Sequence, residues 1–204
     1  MRIILIRHGE TEWNVQQKYQ GHQDIELNAV GREQARKLAR DLQSENIQAI
    51  YSSDLSRARE TAAIIAGCLH LPVISDERLK EFSFGEWEGK TFNEVYRDYP
   101  TEFQEWYTNT RDFKVPGGES MGQLLVRAWQ ALWDISRKHS GTVLVVAHGG
   151  VMRAVLYQLK GENKEEMWGE LLHPGSMLQL NIQGDQVELM PTPGKTDMHE
   201  VLST

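Results

Sequence analysis

Cysteine is nearly absent from the sequence: Cys68 is the only one among 204 residues. A lone cysteine cannot form an internal disulfide, so the chain is not a disulfide-stabilised scaffold. A cysteine phosphatase is also excluded, because such an enzyme needs an arginine six residues after its nucleophile and Ile74 stands there. We therefore expect Cys68 to be a small core residue, as unpaired cysteines commonly are.

Positive charge and long apolar runs are also scarce. The chain has 22 lysines and arginines against 29 aspartates and glutamates, a net charge of −7, whereas nucleic-acid-binding proteins usually present a basic face. The opening apolar run, Ile3–Ile6, is too short for a signal-peptide core or a membrane span. We expect a cytoplasmic protein with no nucleic acid or membrane as partner, in which any anion site is a local cluster of positive side chains.

The length and pattern of the chain indicate one domain over residues 1–204. A chain of this size buries about 70% of the surface that its unfolded form exposes, so it needs no disulfide or metal for stability. Strand-like and helix-like segments alternate without repeats or linkers, which is typical of α/β proteins. Two alternating segments, 177–182 and 186–190, are separated by Gly184-Asp185 and predict a closing hairpin.

Two apolar runs are each followed by a His-Gly pair. Ile3–Ile6 is followed by Arg7-His8-Gly9, and Thr142–Ala147 is followed by His148-Gly149-Gly150. Ligands of open α/β sheets bind beyond the carboxyl ends of the strands. If both runs are parallel strands of one sheet, the two histidines lie at the same edge and can face each other.

A third strand end supplies an arginine. The predicted strand Ile47–Tyr51 leads into a helix that begins near Asp54 and carries Arg57 and Arg59 in its first two turns. The start of a helix favours anions, and a guanidinium group adds a two-pronged contact for phosphate. The apolar spacing of this helix predicts that one of the two arginines faces the sheet edge.

Aromatic residues are concentrated in one part of the chain. Of the 17 in the sequence, 10 fall between Phe82 and Phe113. We interpret this stretch, about residues 82–118, as a small cap with helices near 93–99 and 101–107 that shapes a substrate pocket, or as an ordinary aromatic core, or as both. A helix over about 120–138 follows it, and another is predicted over about 151–159.

The residues at the three strand ends suit phosphoryl transfer. Two arginines and a protonated histidine can neutralise a phosphoryl group, while a neutral histidine can attack phosphorus. This chemistry also needs a general acid that protonates the leaving alcohol and then activates water. The nearest carboxylates are Glu10, Glu81, Glu86 and Glu88, and spacing alone does not choose among them.

Four segments of the sequence resemble the histidine phosphatase superfamily, which includes the cofactor-dependent phosphoglycerate mutases. They are the phosphohistidine segment 5–14, the second-arginine segment 51–62, the glutamate segment 79–89 and the second-histidine segment 145–149, and all stand in family order. The resemblance implies a three-layer α/β/α sandwich around a mostly parallel mixed sheet, with the helical cap inserted between about residues 82 and 118. It implies no metal and no organic cofactor.

The resemblance also assigns roles to individual residues. It implies His8 as nucleophile, Glu81 as acid and base, and His148 as a cationic phosphate ligand, with Arg7 and Arg57 as phosphate clamps. A second group is implied to contact phosphate or substrate: Asn14, Gln20, Gly21 and Gly149. The implied partner is a small phosphomonoester, and a homodimer is a further expectation.

The cap favours a phosphatase over a mutase. Phosphoglycerate mutases of this superfamily carry paired arginines for the substrate carboxylate in a longer insertion, whereas this cap contains only Arg97 and Arg111, fourteen positions apart. The main hypothesis is a phosphomonoester hydrolase that works through a phosphohistidine, and the alternative is mutase-type transfer between hydroxyls. A phosphate-sensing module without turnover and a metallohydrolase are the remaining alternatives.

Overall fold

The computed structural model describes residues 1–161 and 172–191. Its strands are β1 (Arg2–Arg7), β2 (Ile47–Ser52), β3 (Val73–Ser75), β4 (Thr142–Ala147), β5 (Met177–Gln183) and β6 (Gln186–Met190). They form one sheet in the order β3-β2-β4-β1-β5-β6. The pairings among β1 to β4 are parallel, whereas β5 runs antiparallel to both β1 and β6. The predicted mixed, mostly parallel sheet and its closing hairpin are confirmed.

Helices cover both faces of the sheet. Their bounds are α1 (Glu12–Val15), α2 (Ala29–Asp41), α3 (Ser56–Leu69), α4 (Phe92–Asp98), α5 (Pro100–Thr108), α6 (Met121–Lys138) and α7 (Gly149–Lys160). The alternate side chains Ile4 and Ile6 of β1 pack with α2 and α3, and Ile3 and Leu5 pack with α6 and α7. Because the central strands are buried on both faces, they are almost continuously apolar. The three-layer arrangement follows.

The cap contains an aromatic core. Trp87 is fully buried, and its ring lies 5.8 to 6.4 Å, centroid to centroid, from Tyr99, Phe103 and Trp106. Trp106 also lines the cleft described below. Both interpretations of this aromatic stretch are therefore correct, since the same cluster stabilises the cap and forms a wall of the cleft.

Some predictions of detail were wrong. Cys68 is exposed rather than part of the core, because it lies in the last turn of α3, where Leu69 takes the position packed against the sheet. Helix α7 begins at Gly149, earlier than the predicted 151, since His148 has the extended backbone of an N-cap. His199, which the sequence predicts to be a solvated residue of the polar tail, lies outside the described residues. Within residues 1–161 and 172–191, no helix is long and apolar enough to cross a membrane.

Candidate active site

The two strand-end histidines lie side by side. β1 and β4 are neighbours with Arg7 opposite Ala147, and the His8 amide donates to the Ala147 carbonyl at 3.0 Å. This register brings the ring centroids of His8 and His148 to 5.1 Å, with the ring planes 61° apart. Both side chains are buried. The sequence prediction that the two histidines converge at one edge of the sheet is met by this geometry.

The His8 ring is held in one tautomer. Its Nδ1 lies 2.6 Å from the Gly9 carbonyl oxygen. A carbonyl oxygen can only accept, so Nδ1 carries the proton and Nε2 carries the lone pair when the ring is neutral. Burial, and then the charges of Arg57 and Arg7, lower the pKa of His8 well below its usual value. His8 is therefore a neutral imidazole near pH 7, with Nε2 as its nucleophilic nitrogen.

The backbone that holds the His8 ring is itself fixed. The Glu10 amide, in the same peptide unit as the Gly9 carbonyl, donates to Gln34 Oε1 at 2.8 Å. The Gly9 amide donates to Thr61 Oγ1 at 3.1 Å, and this hydroxyl donates to the Arg57 carbonyl at 2.7 Å. These bonds fix the direction of the carbonyl that sets the tautomer.

Arg57 is the arginine of α3 that faces inward, whereas Arg59 is exposed. Its Nη1 and Nη2 donate to the carbonyls of Gln23 and Gly21, each at 2.8 Å. Burial lowers the pKa of Arg57 to about 10, so it remains a cation at neutral pH. Desolvation also lowers the pKa of Arg7, which is partly buried, and its Nη1 donates to the Leu172 carbonyl.

Several buried nitrogens at this site have no hydrogen-bond partner within residues 1–161 and 172–191. They are Arg7 Nε, Arg57 Nε and both ring nitrogens of His148. An unpaired buried polar group costs about 1–3 kcal/mol, and folded proteins contain few of them. Such a concentration of potential donors beside His8 is suited to an anion with several oxygen atoms, such as a phosphoryl group.

The charge of His148 departs from the sequence expectation. Burial and the nearby Arg57, His8 and Arg7 lower its pKa well below the usual value, so the site by itself favours the neutral ring. The cationic role implied by the resemblance requires negative charge beside the ring. A bound phosphoryl dianion would supply that charge and raise the pKa of His148.

The structure separates the four candidate carboxylates. Glu81 lines the cleft next to Arg7. Both oxygens of Glu88 accept from backbone amides, those of His22, Phe84 and Gln23, at 2.9 to 3.1 Å. Glu10 accepts from the Asn28 side chain, and Glu86 is exposed. Among these four, only Glu81 is both in the cleft and near the cations.

Glu81 presents one oxygen to the cleft. Its Oε1 accepts from the amides of Phe82 and Gly150, both at 2.8 Å. Gly150 stands at the start of α7, where the first amides have no partner within the helix and the helix dipole favours negative charge. With Oε1 fixed in this way, Oε2 is the oxygen left for proton transfer.

The cleft has a volume of about 230 Å³. Three of the predicted contact residues, Asn14, Gln20 and Gly149, line it. The fourth, Gly21, is not among the lining residues. Its carbonyl instead accepts a hydrogen bond from the Arg57 guanidinium. A groove of about 480 Å³ between α6, α7 and β6 is larger, but it contains none of the predicted site residues.

The sequence analysis missed two cations in the cleft, Lys18 and Arg153. Arg153 could have been found, because it follows Gly149 by four residues and helical spacing places it on the same face. Lys18 has no comparable signal, since it comes to the cleft through the irregular chain after α1. Among the described parts of the chain, no group of three His, Cys, Asp or Glu side chains is arranged to hold a metal ion.

The α/β/α sandwich, with two histidines and two arginines brought together at one edge of its sheet, has the features expected of a phosphoryl-transfer enzyme. The family model of the histidine phosphatase superfamily (branch 1) matches residues 3–191. The chain belongs to this superfamily.

Relatives narrow the activity within the superfamily. The chain is 44% identical to a phosphoglycerate mutase-like protein of Arabidopsis thaliana, over 75% of this chain and 68% of that protein. It is 41% identical to a metal-independent phosphoserine phosphatase of the same plant, over 77% and 68% of the two chains. The structure of a phosphoserine phosphatase of Entamoeba histolytica, in complex with phosphoserine, matches with a TM-score of 0.81 at 31% identity, over 93% and 95%. The two phosphoserine phosphatases support a metal-independent phosphatase over a mutase, although the first relative is named for its likeness to mutases.

Proposed function

We propose that the chain hydrolyses a small phosphomonoester through a phosphohistidine on His8. The observation that carries this proposal is the set of unpaired buried nitrogens of Arg7, Arg57 and His148 beside a histidine whose Nδ1 is already bonded. The donors match the oxygens of a phosphoryl group, and the neutral His8 Nε2 supplies the electron pair for attack on phosphorus.

In the first step, His8 Nε2 forms a bond to phosphorus as the bond between phosphorus and the alcohol oxygen breaks. Glu81, protonated at Oε2, gives its proton to the departing oxygen, so a neutral alcohol leaves. Arg7 and Arg57 balance the charge on the phosphoryl oxygens. His148, protonated once the dianion is bound, donates to the same group. The Gly9 carbonyl accepts a hydrogen bond from His8 Nδ1–H throughout and stabilises the positive charge of the phosphorylated ring.

In the second step, water replaces the alcohol. Glu81 is now a carboxylate, and it takes a proton from water while the water oxygen forms a bond to phosphorus. The bond between phosphorus and Nε2 breaks, the electron pair returns to His8, and inorganic phosphate leaves. Glu81 is again protonated, so the site returns to its starting state.

The cleft favours a small substrate with negative charge beyond the phosphoryl group. Its lining combines Lys18 and Arg153 with the aromatic rings of Tyr19, Phe82 and Phe84. Phosphoserine is therefore the first substrate to test, and the names of the relatives support the same choice. In the cap, Arg97 is exposed and paired with Asp98, and Arg111 lines the separate groove. Neither lines the cleft, so hydrolysis is favoured over mutase-type transfer.

The phosphoenzyme provides the test. Wild-type protein incubated with ³²P-labelled phosphoserine and quenched should carry an acid-labile label, and His8→Ala should carry none and show no turnover. His70→Asn, at the exposed end of α3, is the matched control and should behave as wild type. A labelled His8→Ala protein would exclude His8 as the nucleophile.

A substrate panel tests the reaction type. It includes p-nitrophenyl phosphate, phosphoserine, and 3-phosphoglycerate with and without 2,3-bisphosphoglycerate. We expect release of inorganic phosphate that persists in chelator and is inhibited by vanadate. Isomerised phosphoglycerate would instead support the mutase, and loss of activity in chelator with recovery on adding a divalent metal would support a metallohydrolase. The cytoplasmic location and the homodimer remain predictions from the sequence.

A further inference from the structure

The residue proposed as general acid lies on a segment without regular secondary structure. Glu81 follows a 3-10 turn, Glu77–Leu79, and precedes another, Gly85–Trp87. A segment of this kind has no hydrogen-bond ladder to fix its carbonyl groups. The position of Glu81 must therefore be set by groups outside the segment.

Arg127 of α6 supplies most of those contacts. Its Nη1 donates to the carbonyls of Arg78 and Lys80 at 2.8 and 2.7 Å, and its Nη2 donates to the Glu81 carbonyl at 2.7 Å. One guanidinium group thus binds three carbonyl oxygens along the stretch that ends at Glu81. Bonds to a charged donor are worth about 1.5–3 kcal/mol each.

Glu119 fixes Arg127 in turn. Its carboxylate accepts from Arg127 Nη2 at 2.6 Å and from Nε at 3.1 Å, a two-pronged pair. The same carboxylate accepts from the Ser83 amide at 2.8 Å, and the Glu119 amide donates to the Ser83 carbonyl at 3.0 Å. The side chains of Arg127 and Glu119 are only 20% and 13% exposed. The chain is therefore held on both sides of Glu81.

We propose that Arg127, held by Glu119, is the positioning residue that keeps Glu81 Oε2 directed into the cleft for proton transfer. This inference rests on the proposed function, because it takes Glu81 as the general acid. Among the described residues that line the cleft, neither Arg127 nor Glu119 appears. All five N–H groups of Arg127 are also used, in bonds to three carbonyls and the Glu119 carboxylate. Arg127 therefore acts through Glu81 and not on the substrate.

A positioning role differs from a merely structural one in its dependence on the leaving group. An alkyl alcohol such as serine needs a proton as it departs, whereas p-nitrophenolate leaves without one. Hydrolysis of the phosphohistidine is common to both substrates and also uses Glu81, so the comparison is made in kcat/KM, which reports formation of the phosphohistidine. Arg127→Met should lower kcat/KM for phosphoserine by at least about tenfold, out of the 10²–10⁴ that general acid catalysis supplies. It should lower kcat/KM for p-nitrophenyl phosphate much less.

Lysine at the same position tests the geometry separately from the charge. Arg127→Lys keeps the positive charge but cannot bind three carbonyls and a carboxylate at once, so it should recover only part of the loss. Arg137→Met is the matched control on the same helix, because Arg137 is 73% exposed, and it should match wild type. If Arg127→Met does not fold, as judged by circular dichroism, the lysine variant alone decides, with the same expected dependence on the leaving group.

A double-mutant cycle with Glu81→Gln closes the test. In that background, Arg127→Met should cause no further loss with phosphoserine, because the acid it positions is already absent. Equal losses of kcat/KM with both substrates, or a full further loss of kcat/KM in the Glu81→Gln background, would overturn the positioning role while leaving the proposed function intact. If Glu81→Gln itself lowers kcat/KM equally for both substrates, Glu81 is not the acid, and both the assignment of Glu81 and this inference fail.

Discussion

Two adjacent glycines at the start of α7 differ in what a side chain would meet. A Cβ added at Gly150 would lie 2.2 Å from Glu81 Oε1 and 3.1 Å from Phe82 Cβ. A Cβ added at Gly149 would find its nearest neighbour, the guanidinium of Arg7, at 3.6 Å, an ordinary contact distance. The close approach of the Glu81 carboxylate therefore requires glycine at position 150 but not at position 149.

Gly150→Ala should displace the Glu81 carboxylate and impair turnover of alkyl phosphates. A misplacement of about 1 Å can cost about 10²-fold in rate, so we expect a loss of that order in kcat for phosphoserine. Gly149→Ala is the matched control, for which we expect a much smaller loss. Steady-state kinetics of the two variants provide the comparison, and equal losses would show that the contact between residue 150 and Glu81 is unimportant.

The polar residues at the strand ends could be predicted from the sequence, but their hydrogen-bond partners could not. His8, His148 and Arg57 follow apolar strands, and the parallel pairing of those strands brings them together. The tautomer of His8 depends on the direction of the Gly9 carbonyl, which Gln34 and Thr61 fix from other elements. Bonds of this kind join residues far apart in the chain and leave no periodic signal.

At the scale of elements, the loop of residues 20–24 is held from opposite sides. Arg57 binds the carbonyls of Gly21 and Gln23, and Glu88 accepts the amides of His22 and Gln23. The loop therefore connects the start of α3 to the segment that follows Glu81. Because Gln20 lines the cleft, the same loop forms part of the substrate wall.

Glu88→Ala should loosen this loop and weaken substrate binding. It would remove three hydrogen bonds from backbone amides, and a hydrogen bond contributes about 0.5–1.5 kcal/mol net. We expect KM for phosphoserine to rise about tenfold and the loop to become sensitive to limited proteolysis. Glu86→Ala, two residues away and exposed, is the control and should change neither property. An unchanged KM and proteolysis pattern in Glu88→Ala would contradict the role of Glu88.

The bounds of the helices could be predicted from the sequence more closely than the side-chain contacts that join one element to another. The apolar spacing predicted α6 over about 120–138, and the helix spans Met121–Lys138. Helix α7 began earlier than predicted, because two glycines after His148 gave no apolar signal. The contacts of Arg127 and Glu88 were not predictable, since each joins a side chain to carbonyls or amides of a distant, irregular segment.

At the scale of the whole molecule, the site places two histidines between two apolar cores. Ile4 and Ile6 pack on one face of the sheet and Ile3 and Leu5 on the other, and the side chains of His8 and His148 at the strand ends are buried. Burial is accordingly the largest cause of the lowered pKa of both histidines. The folded state thus holds two neutral imidazoles that become readily protonated on unfolding.

This burial makes the stability of the protein depend on pH. A histidine in the unfolded chain has a pKa of about 6.5. Below that pH the two histidines bind protons in the unfolded chain but not in the folded one, so the free energy of unfolding falls as pH falls. Each histidine should contribute a loss of about 1 kcal/mol between pH 6.5 and pH 5.5, measurable by urea denaturation. His148→Gln should reduce the difference between the two pH values by about that amount, whereas His70→Asn, at an exposed position, should not. A difference that His148→Gln leaves unchanged would mean that folding does not lower the pKa of His148.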